Sequence, residues 1–158
     1  GARLERNLVQ TRVADSAGSG ADVFGRGPGT FLLVGIPAQD KTAADVEAGL
    51  RAQIAQIAQH GIDEAELKRV KTQWQAAQVY GRDSVMGQAQ NLGHNWVQGL
   101  PPDADVRLLQ QVQQVSAADV QSVAQRYFGD DSLTVATLVP QERAPVSSPA
   151  ASATAAQQ

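Results

Sequence analysis

His60 and His94 are the only imidazoles in a 158-residue chain without cysteine. A catalytic zinc site needs about three nitrogen or oxygen ligands around one open position, and no His-Glu-x-x-His spacing is present here. The two histidines therefore predict no metal site. His60 precedes Gly61 at a helix end, where an imidazolium favours the dipole, and His94 lies beside an apolar helical stripe. Glu64 and Glu66 resemble a paired-carboxylate arrangement, but they fall in the first turn of a predicted helix, which suits dipole and capping roles better than acid/base work. Ser16, Ser19, Ser84 and Ser116 have no base nearby in sequence, and Ser116 sits at a helix start. The run Gly25-Arg26-Gly27-Pro28-Gly29 is not followed by Lys-Ser/Thr and leads into a strand, so it reads as a turn instead of a phosphate cradle. Trp74 and Trp96 stand at helical spacing among aliphatic residues, which predicts core packing. No catalytic, substrate-binding or metal-ligating residue is nominated from these patterns.

The elements that must position these residues follow from periodicity and punctuation. Leu4 and Leu8 predict a short opening helix, and the start on Gly1-Ala2-Arg3-Leu4 suggests a domain truncated at its N-terminus. Val13 to Phe24 and Thr30 to Ile36 read as a hairpin, its second strand apolar on both faces and expected to be buried. Val46, Leu50, Ile54 and Ile57 mark a helix from the Thr42 cap to Gly61. Asp63 and Glu66 predict a capping box, with Ile62 stapled on Leu67 and a buried stripe of Leu67, Val70, Trp74 and Ala77. After Gly81 a second stripe, Val85, Ala89, Leu92 and Trp96, runs to Gly99-Leu100-Pro101-Pro102, and Val106, Leu109 and Val112 make a further helix. Ser116, with Asp119 in the first turn and Val115 stapled on Val120, opens a helix to about Phe128. Leu133 to Val139 alternates as a closing strand that returns to the hairpin's sheet and ends at Pro140. This order predicts an α+β two-layer sandwich, a mainly antiparallel sheet with helices on one face, over residues 1–140.

Composition narrows the partners. Only 18% of residues are charged and the net charge is −3, so no basic field exists for nucleic acid or an anionic membrane. No apolar run approaches the ~18 to 20 residues of a membrane span. The absence of cysteine leaves the compartment open. Residues 141–158 are mostly Ala, Ser, Pro and Gln with almost no large apolar group, a composition that predicts a disordered tail and leans towards a bacterial envelope or periplasmic protein.

Two stretches together carry a family resemblance. Gly61-Ile62-Asp63-Glu64-Ala65-Glu66-Leu67-Lys68-Arg69-Val70-Lys71 resembles a helix start in the C-terminal, non-zinc domains of the insulinase/pitrilysin family of zinc metallopeptidases. Val115-Ser116-Ala117-Ala118-Asp119-Val120 through Ala124, Tyr127 and Phe128, then Leu133-Thr134-Val135 and Pro140, is similar to that family's later helix and closing strand. Arg3-Leu4 and Leu8-Val9 resemble its opening helix, so the likeness spans about residues 1 to 140. It implies a bacterial hydrolase, a metallopeptidase shaped as a clamshell in which homologous α+β domains enclose a chamber and an extended peptide adds a strand to a sheet edge. Zinc is then expected on an inverted His-x-x-Glu-His helix of an upstream domain, with none in this fragment. The partners implied are that upstream domain or a partner subunit, and a peptide substrate in the full assembly. The family's substrate-contacting Arg and Tyr, seven residues apart, fall on Leu8 and Asp15, so the pair is missing. A domain without the pair is expected to belong to a zinc-bearing half or to a non-catalytic scaffold half, and the fragment itself is expected to be inert, enclosing substrate and making domain contacts within a peptidase. The alternatives are a scaffold subunit of the same fold, as in processing peptidases or respiratory-complex cores, and an unrelated α+β interaction module.

Removal of residues 141–158 is expected to leave the melting temperature unchanged. A fall of more than about 5 °C in a calorimetric scan, ~1 kcal/mol or more for a domain of this size, would show that the segment docks.

Overall fold

The computed structural model describes residues 2–21, 27–81 and 83–140. The chain opens on a π-helical turn, Glu5–Val9, and enters strand β1, Ala14–Ala21, which pairs antiparallel with β2, Phe31–Pro37. Five helices follow: α1 (Ala43–His60), α2 (Glu64–Gly81), α3 (Val85–Val97), α4 (Ala104–Gln114) and α5 (Ala117–Tyr127). A 3-10 turn, Asp130–Ser132, closes the order. The α+β class is as expected, with α1 covering one face of a two-stranded sheet.

The helix boundaries are set locally. Thr42 caps α1 in a full capping box with Asp45, and Gly61 ends it at φ 72°, a conformation glycine adopts without steric cost. Ser84 accepts the Gly87 N–H at the start of α3, and Ser116 with Asp119 forms the box that opens α5. Asp63 accepts the Glu66 N–H at 2.6 Å and so caps α2 as predicted. The Glu66 carboxylate does not complete that box. It turns to the Arg3 guanidinium instead, because a charge-assisted ion pair outweighs a bond to a neutral N–H.

Leu8, Ala14, Val46 and Leu50 form the core cluster, with Leu4, Val13, Ala17 and Leu33 packed around it. Leu8 is 2% exposed, and its burial contributes about 1.5–3 kcal/mol. Two glycines let the layers close. A Cβ on Gly35 of β2 would overlap Val46 Cγ1, and one on Gly49 of α1 would overlap Leu8 Cδ2. Asn7 Nδ2 donates to Gln53 Oε1 at 2.6 Å, so the buried amide of α1 is satisfied from the opening turn. Helix α5 hangs on α1 through its glutamines: Gln121 Nε2 donates to the Ala58 and Gln59 carbonyls, and Gln125 Nε2 donates to Ala58 at 2.7 Å. These bonds satisfy carbonyls that the last turn of α1 leaves without a helical partner. Beyond α5, Phe128 meets Phe31 edge to face at 4.9 Å, and Asp130 pairs with Arg51.

Four expectations need correction. β2 is not buried on both faces: Leu33 and Gly35 look towards α1, while Leu32, Val34 and Ile36 on the other side are each more than half exposed. Opposite them β1 supplies only Gly20, Gly18 and Ser16, too small to shield them. The stripe of α2 is buried only at Leu67; Val70 and Ala77 are exposed and Trp74 is half-buried. The stripe of α3 turns outward, with Val85, Ala89 and Leu92 exposed and Trp96 81% exposed, because α3 presents Asn95 to Asp105 of α4 instead. Leu133 to Val139 forms no strand: alternation makes a segment compatible with a sheet but does not by itself dock it on one, and among the described residues the sheet holds β1 and β2 alone. The proposed tail, 141–158, and Val23-Phe24-Gly25-Arg26 of the hairpin lie outside the described residues.

Gly35→Ala is expected to destabilise the chain by about 1–3 kcal/mol, since buried Val46 is stiff at χ1 and cannot move aside. Gly18→Ala, with open space around it, is expected to be neutral or stabilising by up to ~1 kcal/mol. Urea unfolding of the two variants compares them directly, and equal losses would refute the close-packing account.

Candidate functional site

The residues with chemical potential are distributed to separate helix ends. His60 closes α1 and His94 lies in α3, both exposed. Among the described residues no three His, Cys, Asp or Glu side chains gather to hold a metal. Glu66 joins three arginines: Arg3 at 2.5 Å, Arg6 at 3.9 Å and Arg69 at 4.0 Å. Glu64 instead borders a cavity of about 260 Å³ with Leu67, Lys68, Lys71, Thr72 and Gln113. Lys71 in that cavity is already engaged, donating to the Gln113 and Val115 carbonyls at 2.8 and 2.6 Å and so closing the C-terminus of α4. Ser84 and Ser116 cap helices, and Ser16 and Ser19 lie exposed along β1 without an assigned base. Trp96, expected in the core, is a surface residue.

Leu8 and Asp15 occupy different surroundings. Leu8 is enclosed between the opening turn and α1, whereas Asp15 is exposed at the irregularity that shifts the register between Ala14 and Ser16. The two side chains form no shared contact surface. What the fold does offer is apolar area: the outer face of β2 at Leu32, Val34 and Ile36, and the outward side of α3 at Val85, Met86, Leu92 and Trp96. Contiguous exposed apolar surface of this kind marks interaction sites in folded proteins. Sequence pattern identified these residues as apolar but placed them inside; what it missed is that no described element covers them. Among the described residues no helix is long and apolar enough to cross a membrane.

Residues 1–74 match the family model described as the peptidase M16 inactive domain. The matched stretch is 74 of the chain's 158 residues. The match bears out the resemblance to a C-terminal domain that lacks the zinc motif. No curated protein matches the sequence. Among solved structures, a protease from Helicobacter pylori is 22% identical with a TM-score of 0.72 over 82% of the chain, which spans 31% of that protein. A candidate zinc protease from Bordetella pertussis Tohama I is 18% identical with a TM-score of 0.68, covering 82% of this chain and 71% of that one. The inactive peptidase domain of a candidate zinc protease from Bordetella parapertussis is 20% identical with a TM-score of 0.70, covering 92% and 79%. At these identities the likeness speaks for the fold. The chain thus shares the fold of these protease structures while spanning under a third of the Helicobacter pylori protease.

The capping carboxylates of α1 and α5 respond to pH. Asp119 lies below the ordinary carboxylate range because the Ser116 N–H donates to it at 2.8 Å and the Ser116 hydroxyl at 2.7 Å. Asp45 is lowered in the same way by the Thr42 N–H and then the Thr42 hydroxyl. A depressed folded pKa contributes stability that is fully present above the unfolded value, near about 4, and is lost as pH falls through the folded value. The urea midpoint is expected to fall more steeply below pH ~4 in the native chain than in the Asp45→Asn/Asp119→Asn variant. Identical acid limbs in the two proteins would show that the boxes carry no linkage.

Proposed function

We propose that the chain is the C-terminal, non-catalytic domain of an M16-type zinc metallopeptidase, which walls the chamber where peptides are cleaved and contacts an upstream domain. The match of residues 1–74 to an inactive-domain family carries this reading. Two features of the fold support it. Leu8, at the position where the family places its substrate-contacting Arg, is shut inside the core, so no cation reaches a substrate from there. The open face of β2 and the outward side of α3 offer uncharged area for a neighbouring domain, since the buried centre of such an interface is poor in charge. On this reading residues 1–140 form the domain, and zinc and the general base belong to the upstream domain.

The purified chain, assayed for zinc after dialysis and for cleavage of a quenched fluorescent peptide, is expected to show neither. The same chain joined to the polypeptide encoded upstream is expected to show both. One zinc per isolated chain, lost in His60→Ala or His94→Ala, or peptide cleavage by the isolated chain, would sink the proposal.

A further inference from the structure

The contact between the opening turn and α2 is electrically lopsided. Glu66 Oε2 takes the Arg3 guanidinium, and this pair is largely enclosed, with side chains 12% and 21% exposed. Arg6 Nη2 and Arg69 Nη2 both stand off the other oxygen, Oε1, at 3.9 and 4.0 Å. Those separations lie within Coulomb reach but beyond hydrogen-bond reach, so Glu66 engages neither fork. Three positive groups around one carboxylate leave a local charge of +2 in a chain whose net charge is −3. Among the described residues, Glu66 is the one carboxylate within 4.0 Å of Arg6 or Arg69. Other arginines are matched differently: Arg107 has Asp103 at 2.8 Å, and Arg51 has both Glu47 and Asp130.

We propose that Arg6 and Arg69 form a carboxylate-binding site, held in place by the Arg3–Glu66 pair, that receives an acidic group of a docking polypeptide. Each guanidinium carries five N–H donors in a planar fork that fits a carboxylate with two parallel bonds. The inner pair fixes one end of the arrangement, and the outer two side chains remain accessible, which is the division of labour a receptor site requires. An arriving carboxylate relieves the repulsion between two cations that now share one counter-charge. The net negative charge of the chain disfavours acidic groups elsewhere on its surface, so this island selects where one lands. The carboxylate is that of an Asp or Glu side chain or that of a chain terminus. The inference rests on the ion-pair geometry and stands whether or not the parent protein is a peptidase.

Calorimetric titration of the purified chain with three probes distinguishes the possibilities. These are an N-acetylated, C-amidated peptide containing Glu and Asp, an N-acetylated alanine peptide with a free C-terminus, and inorganic phosphate. Saturable binding of the acidic peptide is expected, weakening as salt rises, and reduced at least about tenfold in Arg6→Gln/Arg69→Gln, the scale expected for losing charge-assisted hydrogen bonds. Arg107→Gln, on α4, is expected to bind as the native chain does. Binding of the free-carboxyl peptide in place of the acidic one supports the site and assigns it to chain termini. Where circular dichroism shows the double variant unfolded, the single variants Arg6→Lys and Arg69→Lys are read instead; they keep the charge, lose the fork, and are expected to bind more weakly. Absence of saturable binding, tighter binding of phosphate than of either peptide, or affinity unchanged by the arginine substitutions overturns the proposal.

Discussion

The hairpin and α1 can meet only because two side chains are missing at their contact. Gly35 yields its place to Val46, and Gly49 yields its place to Leu8, so that a strand, a helix and the opening turn interlock around a cluster of four buried residues. With so few residues in that cluster, the rest of the chain depends on α1 as its mount. Helix α5 is held to it by Gln121 and Gln125 on the carbonyls of its last turn, and by the Arg51–Asp130 pair beyond. Phe128 against Phe31 ties the same region back to the start of β2. Polar bonds between helices thus stand where a larger domain would use apolar packing.

Helix boundaries were the most legible feature, because a cap is a local event. Thr42, Asp63 and Ser116, expected as caps, each satisfy an N–H three residues on, as does Ser84, to which the sequence pattern assigns no cap, and Gly61 needs only its own backbone freedom. Which stripe of a helix is covered depends on partners far away in sequence. Val85, Leu92 and Trp96 repeat with a period that specifies an apolar side, but the period is silent on whether anything lies against it, and here Asn95 faces α4 instead. The same limit applies to Leu133–Val139, whose alternation describes a strand without bringing it to a sheet. Glu66 shows local and distant rules in competition: the capping-box pattern was correct in Asp63 and lost in Glu66, because Arg3, 63 residues away, offers the stronger partner.

The residues that could have done chemistry are consumed by structure. Ser84 and Ser116 cap, Lys71 closes the end of α4 through two carbonyls, and the histidines sit on separate helices. That distribution was partly visible beforehand, since capping positions announce themselves and two scattered imidazoles fall short of a ligand set. The fate of Leu8 was not visible. Its residue type excluded a contact to a substrate carboxyl or carbonyl, but its enclosure against Gly49 belongs to tertiary packing and follows from no motif.

A small core beside uncovered apolar faces has a thermodynamic consequence. Each side chain of the Leu32, Val34 and Ile36 row that a neighbour removes from water contributes up to about 1.5–3 kcal/mol, reduced by the share already shielded. That sum is comparable with the whole stability of an ordinary domain of this size, ~5–15 kcal/mol. A partner that binds the folded chain and not the unfolded one therefore stabilises it by mass action, so docking and folding become one linked equilibrium. The two kinds of surface divide the work differently. Apolar rows on β2 and α3 supply non-directional affinity, which by itself permits many orientations. An oriented pair of guanidiniums beside the opening turn supplies direction and selectivity, because a charge must find its counter-charge before water is excluded. Each covers what the other lacks: the apolar faces without the arginines bind indiscriminately, and the arginines without the apolar faces select a carboxylate through their forked donors but shield little of the surface around it from water.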